Sequence, residues 1–279
     1  MTDSNTNFSI GFIGGGNMAR SIIGGLVADS SLALEIQVYD HSKETLTNLE
    51  KEFAIIPASS NQALVDECDI VVLAVKPQAM QSILSGLDAS NTKTVFLSIA
   101  AGLKIQSLTK WLRADVAIIR AMPNTPALVQ CGATGLFANT LTSPQQKNYA
   151  DIIMKAIGIA LWVDSEDLLD CVTALSGSGP AYYFLVMEAM QTSAEKLGLD
   201  ANTARQLTIQ TALGAATLAS QSAEESSVLR QRVTSPGGTT ECAINTFMDS
   251  HLIEIFGKAM QAAYDRSKEL AIELDQSKN

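Results

Sequence analysis

The sequence predicts an α/β protein, with a doubly wound parallel sheet in its first domain and an all-helical second domain. Three observations predict it. Through the first half, short apolar runs of strand length alternate with polar, helix-forming stretches. The first of these runs leads straight into a glycine-rich turn. Beyond residue 164 no convincing strand remains, and segments of helical periodicity follow one another.

Phe8-Ser9-Ile10-Gly11-Phe12-Ile13 reads as a buried strand that enters Gly14-Gly15-Gly16-Asn17-Met18-Ala19. This is the G-x-G-x-x-A form of the dinucleotide fingerprint. Gly14 permits the tight turn and Gly16 lets the backbone approach a pyrophosphate. Ala19 allows close packing of the helix that passes through Ile22, Ile23 and Leu26. A second strand over 34–39 ends at Asp40, about where an acidic residue meets the adenosine ribose. A polar helix over 42–53, a short segment at Ile55-Ile56 and a helix near 61–67 then lead to a fully apolar strand at 69–75. Strands at 94–99 and 116–120 follow, and two more at 133–138 and 159–163 close the domain.

Small or turn-forming residues recur where these strands end: Ala74, Val75, Lys76 and Pro77, then Ala100, Ala101 and Gly102, then 122–126 with Asn124. In an open α/β sheet that is the edge where ligands bind. Ordinary loop chemistry accounts for any one of them equally well.

Composition shifts at Asp164-Ser165-Glu166-Asp167, which divides the chain into domains 1–164 and 165–279. Helices are expected at 168–175, 180–197, 201–219, 226–233, 239–250 and 252–274. Ala212, Gly214, Ala215, Ala216 and Ala219 are small enough to let helix backbones approach, which predicts a tightly packed bundle. Met187, Met190 and Met260 read as core residues. Helical tails attached to nucleotide-binding domains commonly pair across a two-fold axis, so at least a homodimer is expected.

At 279 residues and 47% hydrophobic content, the chain can build two real cores, yet its apolar runs stay short of the roughly 18 residues of a membrane span. The polar start over residues 1–7 lacks the basic flank and apolar core of a secretory signal, so a cytoplasmic location is expected. Cys68, Cys131, Cys171 and Cys242 show no C-x-x-C spacing and read as reduced core residues, with no metal site. A net charge of −10 without a basic stripe repels a phosphate backbone, so nucleic acid is a poor partner.

The helical half is interrupted by Val233-Thr234-Ser235-Pro236-Gly237-Gly238-Thr239-Thr240. Pro236, Gly237 and Gly238 break one helix, and Thr239 or Thr240 can cap the next. Amide donors at a helix N-terminus suit a carboxylate, with the Ser235, Thr239 and Thr240 hydroxyls reaching a second polar atom of the same molecule. On these residues alone an ordinary helix–turn–helix corner fits as well.

Together with Ala74-Val75-Lys76-Pro77, Ser98-Ile99-Ala100-Ala101-Gly102, Arg120-Ala121-Met122-Pro123-Asn124-Thr125-Pro126-Ala127 and Ser176-Gly177-Ser178-Gly179-Pro180-Ala181-Tyr182, the glycine turn and this elbow resemble pyrroline-5-carboxylate reductase over nearly the whole chain. The resemblance implies hydride transfer from NADPH or NADH to the C=N carbon of 1-pyrroline-5-carboxylate, giving L-proline in the last step of proline synthesis. It implies a Rossmann domain and a helical dimerisation domain, often assembled as a ring of dimers. It also places the cofactor along Gly14–Ala19 and the 74–77 and 100–102 loops. The substrate carboxylate falls to the elbow amides and the Ser235 hydroxyl, and the ring nitrogen to Thr240.

The chemistry needs no strong general acid, because a cyclic imine is protonated by solvent and oriented by a hydroxyl partner. His41 and His251, the two histidines, read as surface or packing residues. A 3-hydroxy-acid dehydrogenase of the same build would carry a catalytic lysine where Tyr183 stands. An imine reductase with another cyclic substrate, or a non-catalytic nucleotide sensor, stays open. After the second strand, Asp40 favours a free ribose hydroxyl and opposes a 2′-phosphate, whereas Ser42 and Lys43 can bind one, so the cofactor choice stays open as well.

Overall fold

The structure is a computed structural model that describes residues 8–32 and 34–276; the polar start over residues 1–7 lies outside the described residues. The first part alternates β1 (Ser9–Ile13), α1 (Asn17–Ala28), β2 (Glu35–Tyr39), α2 (Lys43–Phe53), β3 (Ile56–Pro57), α3 (Asn61–Glu67), β4 (Ile70–Leu73), α4 (Pro77–Leu84), β5 (Val95–Ser98), α5 (Ile105–Leu112) and β6 (Ile118–Met122). A 3-10 turn at Thr125–Val129 leads to β7 (Gly132–Ala138), α6 (Pro144–Lys155) and β8 (Gly158–Trp162).

The strands form one sheet in the order β3-β2-β1-β4-β5-β6-β7-β8. The side-chain alternation of β4 shows why its sequence is apolar throughout: Val72 packs with Ile10, Phe12 and Ile22 in one cluster, and Val71 with Leu64, Phe96 and Trp111 in another. Both faces of the strand are covered, so no polar alternation survives. The sheet is not wholly parallel, because β7 runs antiparallel to β6, and β8 runs parallel to β7. The link between β6 and β7 holds only the 3-10 turn, and a parallel return needs a crossover of a dozen residues or more.

Of the three helices that periodicity left unread, two start from local signals. Pro77 stands at the first position of α4, and α6 opens on a capping box between Ser143 and Gln146 with Pro144 behind the cap. α5 follows Lys104 without a side-chain cap. Along α1 the packing is closest at Gly25, where an added Cβ would lie 2.2 Å from the carbonyl oxygen of Ala156.

The remaining chain comprises α7 (Leu168–Val172), a π-turn at Thr173–Gly177, α8 (Gly179–Lys196), α9 (Ala201–Gln221), α10 (Ser226–Arg232), α11 (Thr239–Asp249) and α12 (Leu252–Gln276). Two compact units result, one holding the chain up to Ser178 and again from Ala263, the other Gly179–Ala262. The break thus falls later than the composition shift at 164. Glu166 belongs to the first unit because its Oε1 accepts from Arg120 Nη1 and from the Ile105 amide, both at 2.7 Å. Asp170 Oδ1 likewise accepts from Ser267 Oγ at 2.6 Å.

In the second unit α8 packs on α9, and much of the apolar surface stays uncovered. Tyr183, Phe184 and Leu185 are exposed, Met190 is 46% exposed rather than core, and the small-residue stripe on α9 lies at the surface instead of inside a closed bundle. A pair of helices cannot enclose both of its faces, and an apolar surface of this kind is what an interface presents. The cysteines also depart from the core expectation: Cys68 is buried, whereas Cys131, Cys171 and Cys242 are exposed.

Candidate active site

The glycine turn is fixed by the strands on either side of it. Gly14 has φ +97°, and a Cβ there would lie 2.8 Å from the Ala74 carbonyl oxygen, so both its backbone and its neighbours demand glycine. Its amide donates to the Tyr39 carbonyl at 2.8 Å, and the Ala74 amide donates to the Ile13 carbonyl at 2.9 Å. The end of β1 is thereby held between the ends of β2 and β4. Gly16 is the N-cap of α1; an added Cβ would meet nothing within 4 Å, no side chain caps the helix, and no acid occupies its first turn. An open, positive helix end with bare backbone fits a pyrophosphate. Asn17 and Met18 begin α1, and Ala19 is buried against the core.

Around this turn the structure brings together most of the residues expected on the ligand edge. Asp40 sends Oδ2 to the Gly15 amide and Oδ1 to the Ser42 amide, each at 2.8 Å. Ser42 caps α2 by accepting from the Thr45 amide, and Lys43 is the exposed first residue of that helix. Lys76 is the N-cap of α4 with Pro77 behind it, and Ala74 and Val75 are half-buried beside the Gly14 turn. Past β5, Ala100 is buried, Ala101 is exposed, and Gly102 takes φ +76°. Asn124 is buried with both ends of its amide used: Nδ2 donates to the Ser176 carbonyl and Oδ1 accepts from the Ala133 amide, each at 2.9 Å. It thus ties the end of β6 to the start of β7 and to the π-turn, a role that sequence spacing could not reveal.

The elbow belongs to the second unit. Ser235, Gly237, Thr239 and Thr240 are exposed, and the Gly238 amide donates to the Ser235 carbonyl at 3.0 Å. Neither threonine caps α11. The helix begins at Thr239 with Gly238 as its N-cap and no side-chain cap, so both threonines are helical and their hydroxyls are not used for capping. Their position in the first turn, where amides have no partner within the helix, keeps donors and hydroxyls at one place. Sequence reasoning missed Glu241, whose Oε2 accepts from the Gly237 amide at 2.8 Å. The signal was present, since an acid three residues after an N-cap commonly reaches back to the backbone there.

No histidine enters either constellation as a buried acid. His41 is 96% exposed, with Nδ1 3.3 Å from Asp40 Oδ1, and His251 is exposed between α11 and α12. Tyr183, at the position where a hydroxy-acid dehydrogenase would carry lysine, is exposed on α8.

Known proteins share this arrangement from end to end. Residues 9–102 match the family described as NADP oxidoreductase coenzyme F420-dependent, and residues 166–270 match the family described as Pyrroline-5-carboxylate reductase dimerisation. A pyrroline-5-carboxylate reductase of Pseudomonas aeruginosa is 48% identical over 96% of this chain and 98% of its own. A solved pyrroline-5-carboxylate reductase of Coxiella burnetii superposes with a TM-score of 0.91 at 46% identity, covering 94% of this chain and 98% of its own. A Plasmodium falciparum pyrroline carboxylate reductase solved with NADP bound gives a TM-score of 0.80 at 29% identity, over 95% of this chain and 98% of its own. With the glycine turn, the sheet-edge loops and the hydroxyl elbow all inside stretches shared at this level, the chain belongs to the pyrroline-5-carboxylate reductase family.

Proposed function

We propose that this protein reduces 1-pyrroline-5-carboxylate to L-proline with NADPH or NADH, the last step of proline biosynthesis. The observation that carries the reading is the open glycine turn at the sheet edge in a chain related to the reductases along almost all of its length. When bound, the reduced nicotinamide supplies a hydride. Gly14, Gly16, Asn17, Met18 and Ala19 would hold the pyrophosphate. Ala74, Val75, Lys76, Pro77, Ala100, Ala101, Gly102 and Asn124 would border the rest of the cofactor, and Ser42 and Lys43 its adenosine end, with Asp40 beside them holding the Gly15 and Ser42 amides. On this reading residues 1–164 serve the cofactor and 165–279 serve dimerisation and the substrate.

At the elbow, Ser235, Gly237, Gly238 and Thr239 would border the substrate carboxylate; the Gly237 and Gly238 amides are bonded to Glu241 and Ser235, so its donors would be the Ser235 and Thr239 hydroxyls and the first amides of α11, at a helix start that favours an anion. Thr240 would bond to the ring nitrogen, accepting from an iminium N–H or donating to the neutral imine. As hydride adds to the C=N carbon, the π pair moves onto nitrogen. The proton that completes the amine comes from solvent, before or during that step, so no buried acid is required.

The exposed apolar side chains of α8 and the match to a dimerisation family support a homodimer, and we extend this to a ring of dimers. A cytoplasmic location completes the reading; among the described residues no helix is long and apolar enough to cross a membrane. Purified protein should oxidise NADPH or NADH only when pyrroline-5-carboxylate is present and should release proline. A folded, nucleotide-binding protein that oxidises neither cofactor with this substrate would overturn the proposal.

A further inference from the structure

The pairing of β1 with β2 does not stop where the strands stop. Ile13 stands opposite Tyr39, the Gly14 amide donates to the Tyr39 carbonyl, and the next amide, that of Gly15, donates to the carboxylate of Asp40. A side chain supplies the rung that backbone can no longer reach. The second oxygen of the same carboxylate accepts from the Ser42 amide, and Ser42 caps α2, so one group binds the glycine turn to the start of the helix beside it. Room for Gly15 is tight, because an added Cβ would lie 2.8 Å from Leu49 Cδ1 and from Thr45 Cγ2, both on α2. The carboxylate is only 13% exposed, whereas neighbouring His41 is 96% exposed.

We propose that Asp40 is a positioning residue, which fixes the phosphate-binding turn through the Gly15 amide and so serves NADH and NADPH alike instead of choosing between them. An acid at this place in the sequence reads as a partner for the ribose diol and an obstacle to a 2′-phosphate. Here both oxygens face backbone donors, and charge-assisted bonds of this kind are among the strongest that a turn can make. The exposed rim beside the turn is left to His41 and Lys43.

The inference rests on the cofactor reading above, and its test is therefore a binding measurement as well as a kinetic one. Dissociation constants of NADH and NADPH, read by nucleotide fluorescence without substrate, and KM and kcat for both cofactors are measured on the full chain and on Asp40→Ser and Asp40→Asn. For Asp40→Ser we expect affinity for both cofactors to fall about tenfold together, with kcat and the NADPH-to-NADH preference unchanged. Asp40→Asn should recover part of the loss, because its carbonyl oxygen can still accept from Gly15. Amide exchange at Gly15 should be slow in the native protein and fast in Asp40→Ser, which decides the matter even if that variant is too unstable for kinetics. A tenfold shift of preference toward NADPH, unchanged affinity for both cofactors, or a native Gly15 amide that exchanges freely would overturn it. Native protein that binds nucleotide without turning over pyrroline-5-carboxylate would sink the substrate reading and leave this one standing; protein that binds no nucleotide would sink both.

Discussion

The carboxylate of Glu241 reaches back four residues and accepts the Gly237 amide at 2.8 Å, so the elbow already holds a carboxylate of its own. Its charge stands where a substrate carboxylate is proposed to bind. Two such charges several ångströms apart at a wet surface repel by about 1 kcal/mol, roughly fivefold in affinity. Glu241→Gln should therefore lower the KM for pyrroline-5-carboxylate by about that factor and leave kcat and the cofactor KM unchanged. A raised KM would show instead that Glu241 props the elbow open.

Thr240→Val separates chemistry from capping. Gly238 is the N-cap of α11 and Thr240 is helical, so removing the hydroxyl should leave the melting temperature nearly intact. Loss of one hydrogen bond to a partly charged nitrogen should lower kcat/KM by about ten- to hundredfold. Ser235→Ala, which removes a contact made equally before and during reaction, should mainly raise the KM. Wild-type kcat/KM in Thr240→Val would rule out the proposed role of its hydroxyl.

Asn124→Ala leaves the half-buried Ser176 carbonyl and Ala133 amide without their partner. At about 1–3 kcal/mol for each unpaired group, the melting temperature should fall by roughly 5–10 °C. Calorimetry on the variant checks this, and an unchanged melting temperature would mean that water replaces the side chain.

Cys68 gives a pH signature. Burial, and then the charges of Glu67, Glu35 and Asp69, push its thiol up to about 12. The unfolded thiol titrates near 8.5, so the folded form binds the proton more tightly. The resulting stabilisation is full below about pH 8.5 and is lost as pH rises toward 12. Melting temperatures measured between neutral and strongly alkaline pH should fall more steeply for the native protein than for Cys68→Ala. In the folded protein iodoacetamide should modify exposed Cys131 well before Cys68; parallel slopes or equal labelling would contradict the assignment.

What could be read from the sequence was what the backbone itself dictates. Gly14 announced the turn because no other residue meets its conformation and clearance, Gly16 stood at the spacing that leaves the start of α1 bare, and the uninterrupted apolar run of β4 announced a strand covered on both faces. The direction of β7 was hidden, since it depends on how far the chain travels between β6 and β7. The small stripe on α9 and the methionines of α8 read as core because periodicity tells which face is apolar, not what covers it. The partners of Asp40 and Asn124 were out of reach for a related reason: Gly15 and Ser176 lie 25 and 52 residues away from them along the chain. The contact of Glu241 is local, and it was missed because the cap was placed at Thr239 or Thr240 instead of Gly238, which hid its third-position spacing.

The clearance at Gly25 makes α1 a rod with a fixed heel. Its open end at Gly16 lies nine residues away, about 13 Å along the axis, and the heel rests on the Ala156 carbonyl so closely that even a methyl group would have to displace it. Any side chain at 25 would tip the rod and swing the far amides off their aim. On the proposed cofactor reading, Gly25→Ala would thus weaken dinucleotide binding from a residue nine positions away from the glycine turn.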